Sequence, residues 1–222
     1  MKVKNIASFR LPIQRTKTEK KELHMISKAS QTLACVVLGS CATTVLADAP
    51  FSVDFLAGQA SHESDVSSGR ELSGDDKSLG IRASYAFNQY AALEMGYEDL
   101  GDYEDSFEPN SGTIVTEQIE VAAFKVGLKA TVPVTELFML NARAGAARWA
   151  LELEETVTGR AEMFSDDDHG IDLYYGVGAD LNLGKNWRVS LEYSVLNFDA
   201  EIGFGKIDQT VENASLALGY RF

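Results

Sequence analysis

Eight segments of this chain alternate between apolar and polar residues, the pattern of a β-strand whose two faces meet different surroundings. In the seventh segment Val189, Leu191 and Tyr193 lie on one face, and Arg188 and Glu192 lie on the other. The pattern predicts an all-β chain of eight strands. The predicted strands are residues 51–60, 78–87, 90–97, 117–131, 137–149, 171–183, 187–195 and 211–222.

The connections between these segments alternate strictly between short and long. Short connections join neighbouring antiparallel strands, so the order predicts an eight-stranded antiparallel up-and-down barrel. Segments of about ten residues also match the length of a tilted membrane-spanning strand. The short connections are residues 88–89, 133–136 and 184–186, and the long, acidic ones are 61–77, 100–116, 151–170 and 199–209.

The fourth segment breaks the pattern, because its two halves place apolar residues on opposite faces. Phe124 and Val126 share one parity, whereas Ile119 and Val121 share the other. A β-bulge near residues 122–123 would reverse the faces, since it inserts one extra residue into the strand.

The polarity of the two faces indicates which of them lies inside. A soluble eight-stranded barrel lines its interior with the apolar face. Here large apolar side chains fill one face around the whole barrel, and Gly, Ser and charged residues fill the other. This arrangement is typical of a transmembrane barrel with lipid outside, so we expect the inward charges to form a paired network. The inward charges are Asp54, Arg82, Glu94, Glu98, Lys125, Lys129, Arg143, Asp172, Asp180, Arg188, Glu192 and Arg221.

The beginning of the chain has the features of a signal peptide. Residues 32–47 form a short apolar run that ends in the small-residue site Val45-Leu46-Ala47. The run is too short and too rich in Ser and Thr for a transmembrane helix. We expect residues 1–47 to be a basic extension plus signal peptide, with Met25 as the working start and cleavage after Ala47. Residues 48–222 are then the barrel domain.

The two cysteines, Cys35 and Cys41, both fall inside this predicted signal. The mature chain is therefore expected to have no disulfide. A lipoprotein signal is the alternative, since residues 38–41, Leu-Gly-Ser-Cys, fit a loose lipobox.

The predicted mature chain is strongly acidic. From Asp48 onward it holds 31 acidic against 12 basic residues, a net charge of −19. So acidic a body repels nucleic acid, which excludes a nucleic-acid-binding role.

The pattern resembles that of the OmpA/OmpX-type eight-stranded barrels, the small porin-like and opacity-protein family. Residues 176–181, residues 186–193 and the terminal strand carry the resemblance. It implies short periplasmic turns, long outer loops and the outer membrane of a Gram-negative bacterium. It also implies that Leu218, Tyr220 and Phe222 form the signal read by the barrel-assembly machinery. The peptidoglycan-binding domain of larger relatives is not expected, because the chain ends with the barrel.

The same resemblance implies a non-enzymatic protein with a structural or surface-interaction role in the envelope. Its expected partners are outer-membrane lipids, lipopolysaccharide, the barrel-assembly machinery and periplasmic chaperones. We expect a monomer with no cofactor and no bound metal. Two alternatives remain open: a narrow pore or transporter for small or apolar molecules, and a lipid-modifying enzyme.

The enzyme alternative depends on two histidines in the predicted outer loops. Nucleophilic catalysis requires a histidine, a serine and an acid in mutual contact. We expect both histidines to be solvated loop residues without a catalytic role. Residues 166–168, Asp-Asp-Asp, are likewise expected to be a solvated loop, since their spacing does not match an EF-hand. The residues considered for catalysis are Ser61, His62, Ser64, Ser165, Asp168 and His169.

Overall fold

The computed structural model describes residues 50–66, 70–110, 113–157, 163–202 and 205–222, so the predicted signal segment and Ala47 lie outside the described residues. Within the described part, eight antiparallel strands close into one barrel, in which β1 also pairs with β8. The predicted fold is confirmed. No helix among the described residues is long and apolar enough to span a membrane. The strands are β1 (Phe51–Val66), β2 (Arg70–Asn88), β3 (Ala91–Asn110), β4 (Thr113–Pro133), β5 (Phe138–Val157), β6 (Met163–Leu183), β7 (Trp187–Ile202) and β8 (Gly205–Arg221).

The half of the barrel next to the short turns has an apolar outward face. Val177 is 59% exposed and Leu191 is 60% exposed, so both point away from the interior. Aromatic residues surround the short-turn end, where Tyr85 contacts both Phe51 and Phe87 edge to face. We call this half the membrane section. It comprises residues 51–58, 79–99, 122–148, 171–196 and 214–222.

The strands continue well past the ends that the alternation predicted. β3 runs to Asn110 and β4 starts at Thr113, so the predicted loop of residues 100–116 is mostly a β-hairpin. The other long connections are extended hairpins as well, so their prediction as irregular loops was wrong in its extent. We call these hairpins the outer section. It comprises residues 59–66, 70–78, 100–110, 113–121, 149–157, 163–170, 197–202 and 205–213.

The two faces exchange polarity between the sections. In β5, Trp149 and Leu151 are buried inside the barrel, whereas Glu152 and Glu154 are exposed on its surface. The outside of the outer section therefore meets water, and its interior is a hydrophobic core. Because the polarity is reversed here, the alternation of the membrane strands does not continue into these hairpins, and the sequence predicts loops in their place.

The outer section is built as two four-stranded sheets that face each other. The ladder between β2 and β3 ends at the pair Leu79 and Asp99, and the ladder between β6 and β7 ends at Tyr174 and Leu196. Beyond these pairs, β3 to β6 form one sheet, and β7, β8, β1 and β2 form the other. Face-to-face packing of two sheets buries their inner side chains, as in a β-sandwich.

The predicted bulge in β4 is wrong, because β4 keeps its phase. Its ladder with β5 runs without interruption through residues 122–123. The irregularity lies in β3, where Leu100 and Gly101 separate two consecutive pairs with β4. Gly101 has a φ of 84°, a conformation that favours glycine. Ile119 and Val121 face inward simply because they belong to the outer section.

An outward arginine is predicted to separate the two sections by its effect on stability. Leu191→Arg places a charge against lipid and should lower the free energy of unfolding by roughly 2–4 kcal/mol. Asn197→Arg, also outward on β7 but in the outer section, should leave it nearly unchanged because the new side chain meets water. Urea titration of both variants in lipid bilayers provides the measurement, and equal effects would contradict the assignment of the membrane section.

Candidate functional site

Arg82 of β2 lies at the centre of the membrane section's interior. Its guanidinium donates to Glu192 at 2.6 and 2.8 Å and to Asp54 at 3.2 and 3.3 Å. The carboxylate of Glu94 lies 3.7 Å away. All four side chains are buried. A buried arginine of this kind is held by the fork of donors that its planar guanidinium offers to several carboxylates.

A second arginine completes a closed group of four charges. Arg143 of β5 donates to Glu192, and its Nε lies 3.6 Å from Glu94. Arg82 and Arg143 thus share the same two carboxylates. Because each charge has two opposite neighbours, the group ties β2, β3, β5 and β7 together across the interior.

Three further ion pairs flank this group. Arg188 donates to Asp54 at 2.7 Å, Lys129 to Asp180 at 2.8 Å and Lys125 to Glu98 at 2.6 Å. Neutral amides support two of these pairs, because Asn141 donates to Asp180 at 3.0 Å and Asn213 donates to Glu98 at 3.3 Å. Asn141 and Asn213 share the parity of the inward charges in the sequence, but an uncharged amide by itself gives no signal of an ion-pair network.

A single close approach of backbone makes room for the Asp54 side chain. Gly219 of β8 is paired with Asp54 of β1, and a Cβ at this glycine would collide with the aspartate carboxylate. The missing side chain therefore lets Asp54 lie flat against β8 and reach Arg188.

The interior group is electrically balanced and nearly solid. Five carboxylates face five cations, and the cavity beside Arg82, Glu94 and Arg143 is about 10 Å³, room for a single water molecule. An eight-stranded barrel has an interior just wide enough for side chains to fill it. The ten residues, which we call the ionic layer, are Asp54, Arg82, Glu94, Glu98, Lys125, Lys129, Arg143, Asp180, Arg188 and Glu192.

Two of the predicted inward charges, Asp172 and Arg221, are not part of the ionic layer. Asp172 accepts a hydrogen bond from Nε1 of Trp149 at 2.7 Å, at the border between the two sections. Arg221 is exposed at the end of β8. The alternation predicts that both residues face inward, but it does not predict how far along the barrel axis each one lies.

His62 is buried in the outer section, which corrects the prediction that it is a solvated loop residue. Its ring stacks on Tyr103 at 5.1 Å, its Nε2 donates to the carbonyl of Leu100 at 2.9 Å, and its Nδ1 accepts from Gln209 at 3.4 Å. Ser64 donates to Gln209, and Ser61 donates to Asp75 at 2.5 Å. Both ring nitrogens are therefore engaged with groups other than a serine or a carboxylate.

His169 and its neighbours do not form a catalytic group either. His169 is exposed on the outward face of β6, whereas the Asp168 side chain points inward and accepts from the backbone N–H of Glu201 at 2.6 Å. Ser165 is also outward and exposed. Residues 166–168 belong to β6, not to a loop, and within the described ranges no group of His, Cys, Asp and Glu could hold a metal ion.

The outward face of the outer section carries rows of carboxylates on adjacent strands. Asp102, Glu120, Glu152 and Asp167 are directly paired across β3 to β6. Burial, followed by repulsion from Glu152, raises the pKa of Glu120 above its ordinary value. Like charges opposite each other destabilise a sheet, so this row is a cost that packing of the inner face has to offset.

The predicted assembly residues Leu218, Tyr220 and Phe222 are outward and exposed at the short-turn end. Tyr220 contacts Trp187 and Phe222 edge to face at 5.1 and 5.2 Å. The backbone N–H of Phe222 donates to the carbonyl of Phe51 at 3.1 Å, next to the ladder that closes the barrel.

Removing one carboxylate from the ionic layer is predicted to be strongly destabilising. Glu192→Gln removes the charge of the carboxylate that both Arg82 and Arg143 bind most closely, and it should lower the free energy of unfolding by roughly 3–5 kcal/mol. Glu201→Gln is the control, because its pair with Lys206 at 2.9 Å is exposed, and its stability should be close to that of the parent. Urea titrations compare the two variants, and a stable Glu192→Gln would contradict the coupling described above.

Comparisons with known proteins agree with this architecture. The chain is 28% identical over 151 residues to the outer membrane protein A of Serratia marcescens and, at the same identity and length, to that of Yersinia pseudotuberculosis. Each alignment covers 67% of this chain and 40% of the relative, so the chain spans less than half the length of these proteins.

Among solved structures, the crystal structure of Neisserial surface protein A is similar in fold. The comparison gives a TM-score of 0.55 at 14% identity, and it covers 78% of this chain and 97% of the other. The family model described as "Outer membrane protein beta-barrel domain" matches residues 33–222. With its closed barrel, apolar outward band and charged interior, the chain belongs to the outer membrane protein β-barrel family and is a protein of the Gram-negative outer membrane.

Proposed function

We propose that this protein is a closed, non-enzymatic outer-membrane barrel that holds a rigid, acidic outer section above the membrane for contacts at the cell surface. The proposal is based on one observation: side chains fill the interior of the barrel in both of its sections. The ionic layer fills the membrane section, and a hydrophobic core fills the outer section. Side chains therefore occupy the path that a solute would need.

The hydrophobic core is a second barrier in series with the ionic layer. Its ring pair Trp149 and Phe198, from opposite sheets, stacks at 4.2 Å, and Leu151 and Val121 are fully buried. An apolar core packed in this way excludes water and ions. A narrow pore would need both layers to rearrange, and an apolar solute would have to pass the ten charges of the ionic layer.

The surface part of the proposal depends on how the outer section is built. Uninterrupted ladders, such as those of β1 with β2, β4 with β5 and β7 with β8, and a buried core make it a rigid sandwich and not a set of loose loops. Its outward face is polar and mostly acidic, so it stays hydrated and attracts partners that carry positive charge. The described histidines support no catalytic group, so no observation favours the enzyme alternative.

Planar-bilayer recordings test the closed state. The purified protein is expected to give no stepwise current. The double variant Arg82→Ala with Glu192→Ala removes the centre of the ionic layer and should also stay closed, because the hydrophobic core remains. Discrete conductance steps from the parent protein would favour the pore alternative.

Single-cysteine labelling on intact cells tests the surface display. With Cys35 and Cys41 in the predicted signal, the mature chain offers a cysteine-free background. Asn197→Cys, outward in the outer section, should react with a membrane-impermeant maleimide on intact cells. Lys185→Cys, in the short turn before β7, should react only after the outer membrane is permeabilised. The reverse pattern would overturn the proposed orientation.

A further inference from the structure

We propose that His62 is an acid-sensitive latch, which holds the β3 bulge and the outer section together near neutral pH and releases them when the imidazole takes up a proton. The inference concerns a conformational device of the outer section and does not depend on the proposed surface role.

The bulge of β3 leaves backbone groups outside the regular ladder, and side chains satisfy them. The carbonyl of Leu100 accepts from His62 at 2.9 Å, and the N–H of Asp102 donates to Asp76 at 3.0 Å. The N–H of Gly101 donates to the side chain of Asp99 at 3.1 Å. Since His62 belongs to β1, its ring links β1 to β3 across the interior, although the two strands are not neighbours in the sheet.

The hydrogen bonds around His62 form a chain that fits only the neutral imidazole. A carbonyl can only accept, so Nε2 carries the proton and Nδ1 is left as an acceptor for the amide of Gln209. The amide oxygen of Gln209 accepts a hydrogen bond from the hydroxyl of Ser64. The Ser64 oxygen in turn lies 2.6 Å from the hydroxyl of Tyr103. While the ring is uncharged, Tyr103, Ser64, Gln209 and His62 can each donate one hydrogen bond to the next group in this series.

Protonation places two donors face to face, because both Nδ1 and the amide nitrogen of Gln209 then carry hydrogen. The amide must turn over, and the direction of the bond to Ser64 reverses with it. The new cation lies in a hydrophobic core, where an unpaired charge is strongly disfavoured.

Among the residues that the structure describes, the charged groups near His62 do not contact its ring directly. Asp75 and Asp76 of β2 act on the ring only through space, and Asp76 is held by the N–H of Asp102. Glu63, the neighbour in β1, points outward, and β3 and β8 present the neutral Tyr103 and Gln209. Burial lowers the pKa of His62 below its ordinary value, despite the opposing effects of the Leu100 carbonyl and the two aspartates.

The direction of the pH effect follows from this lowered pKa. The unfolded imidazole binds its proton near pH 6.5, before the folded one does, so acid favours the open form. The contribution of His62 to stability is complete above about pH 6.5, and it is lost as the pH falls toward the folded pKa.

Hydrogen exchange measured by mass spectrometry tests the latch on protein purified from outer membranes in detergent. After correction for intrinsic exchange rates, a shift from pH 8 to pH 5 should accelerate exchange in residues 99–104 and 60–66. The expected factor is about tenfold for every pH unit between the folded and unfolded pKa of His62. Strands of the membrane section, such as residues 187–195, should keep their protection.

Two histidine variants decide whether His62 is responsible. His62→Gln can still donate to Leu100 but cannot be charged, so its outer section should show no acceleration at pH 5. His169→Gln removes the exposed histidine of β6 and should behave like the parent protein. Equal acceleration in His62→Gln and the parent, or no acceleration in the parent, would overturn the proposal.

A third variant keeps the test decisive if His62→Gln does not fold. Gln209→Glu puts an acceptor carboxylate against Nδ1, so the protonated ring gains a partner. Its outer section should stay protected at pH 5, and proton NMR should show the ring titrating at higher pH than in the parent. Opening at pH 5 as in the parent would overturn the latch.

Discussion

A closed barrel of eight strands has an interior just wide enough for its side chains to fill. The rest of this structure depends on which side chains fill it. Each strand supplies side chains alternately to the inside and the outside, so the polarity of one face limits that of the other. Where lipid surrounds the barrel, the apolar residues are needed outside and the charges are left inside. Where water surrounds it, the faces exchange roles and the interior becomes a hydrophobic core. The barrel crosses lipid in one section and meets water in the other, so it contains both an ionic layer and a hydrophobic core.

Trp149 lies where the two fillings meet. Its indole nitrogen donates to Asp172 at 2.7 Å, and its ring stacks on Phe198 at 4.2 Å inside the hydrophobic core. A tryptophan suits this border because it combines a large apolar surface with one polar group. Beside it, Lys125 lies 5.3 Å from the centre of the Tyr174 ring, a second contact between the ionic layer and an aromatic residue. The two fillings are thus joined by side chains that belong to both.

Where the barrel divides into two sheets, each division is bridged by an aspartate. Asp76 of β2 accepts from the N–H of Asp102 of β3, and Asp168 of β6 accepts from the N–H of Glu201 of β7. Strand edges with unpaired N–H groups tend to associate with other chains, and inward-pointing charged residues are a known way to prevent it. Asp168, the last of the three aspartates at residues 166–168, therefore protects an edge of the β7 strand.

The sequence by itself determined the fold, because the period-two pattern in strands such as β7 and the short turns at residues 88–89 and 184–186 are local signals. It also placed the ten charges of the ionic layer on the inward face, since parity decides the face of every residue in a regular strand.

Only the tertiary structure decided which charges pair, how far along the barrel axis each side chain lies, and where the strands end. Glu192 serves Arg82 and Arg143, which lie 110 and 49 residues away in the sequence, and Asp172 binds a tryptophan instead of a cation. Residues 151–154 alternate as well, but with reversed polarity, so the sequence predicts a loop there, and only the water around the outer section explains the reversal. His62 is bound by the carbonyl of Leu100 in the β3 bulge, 38 residues away in the sequence, and by the amide of Gln209 in β8. Such contacts form only when the barrel closes, because closure brings β8 against β1 and places side chains from distant strands in one interior.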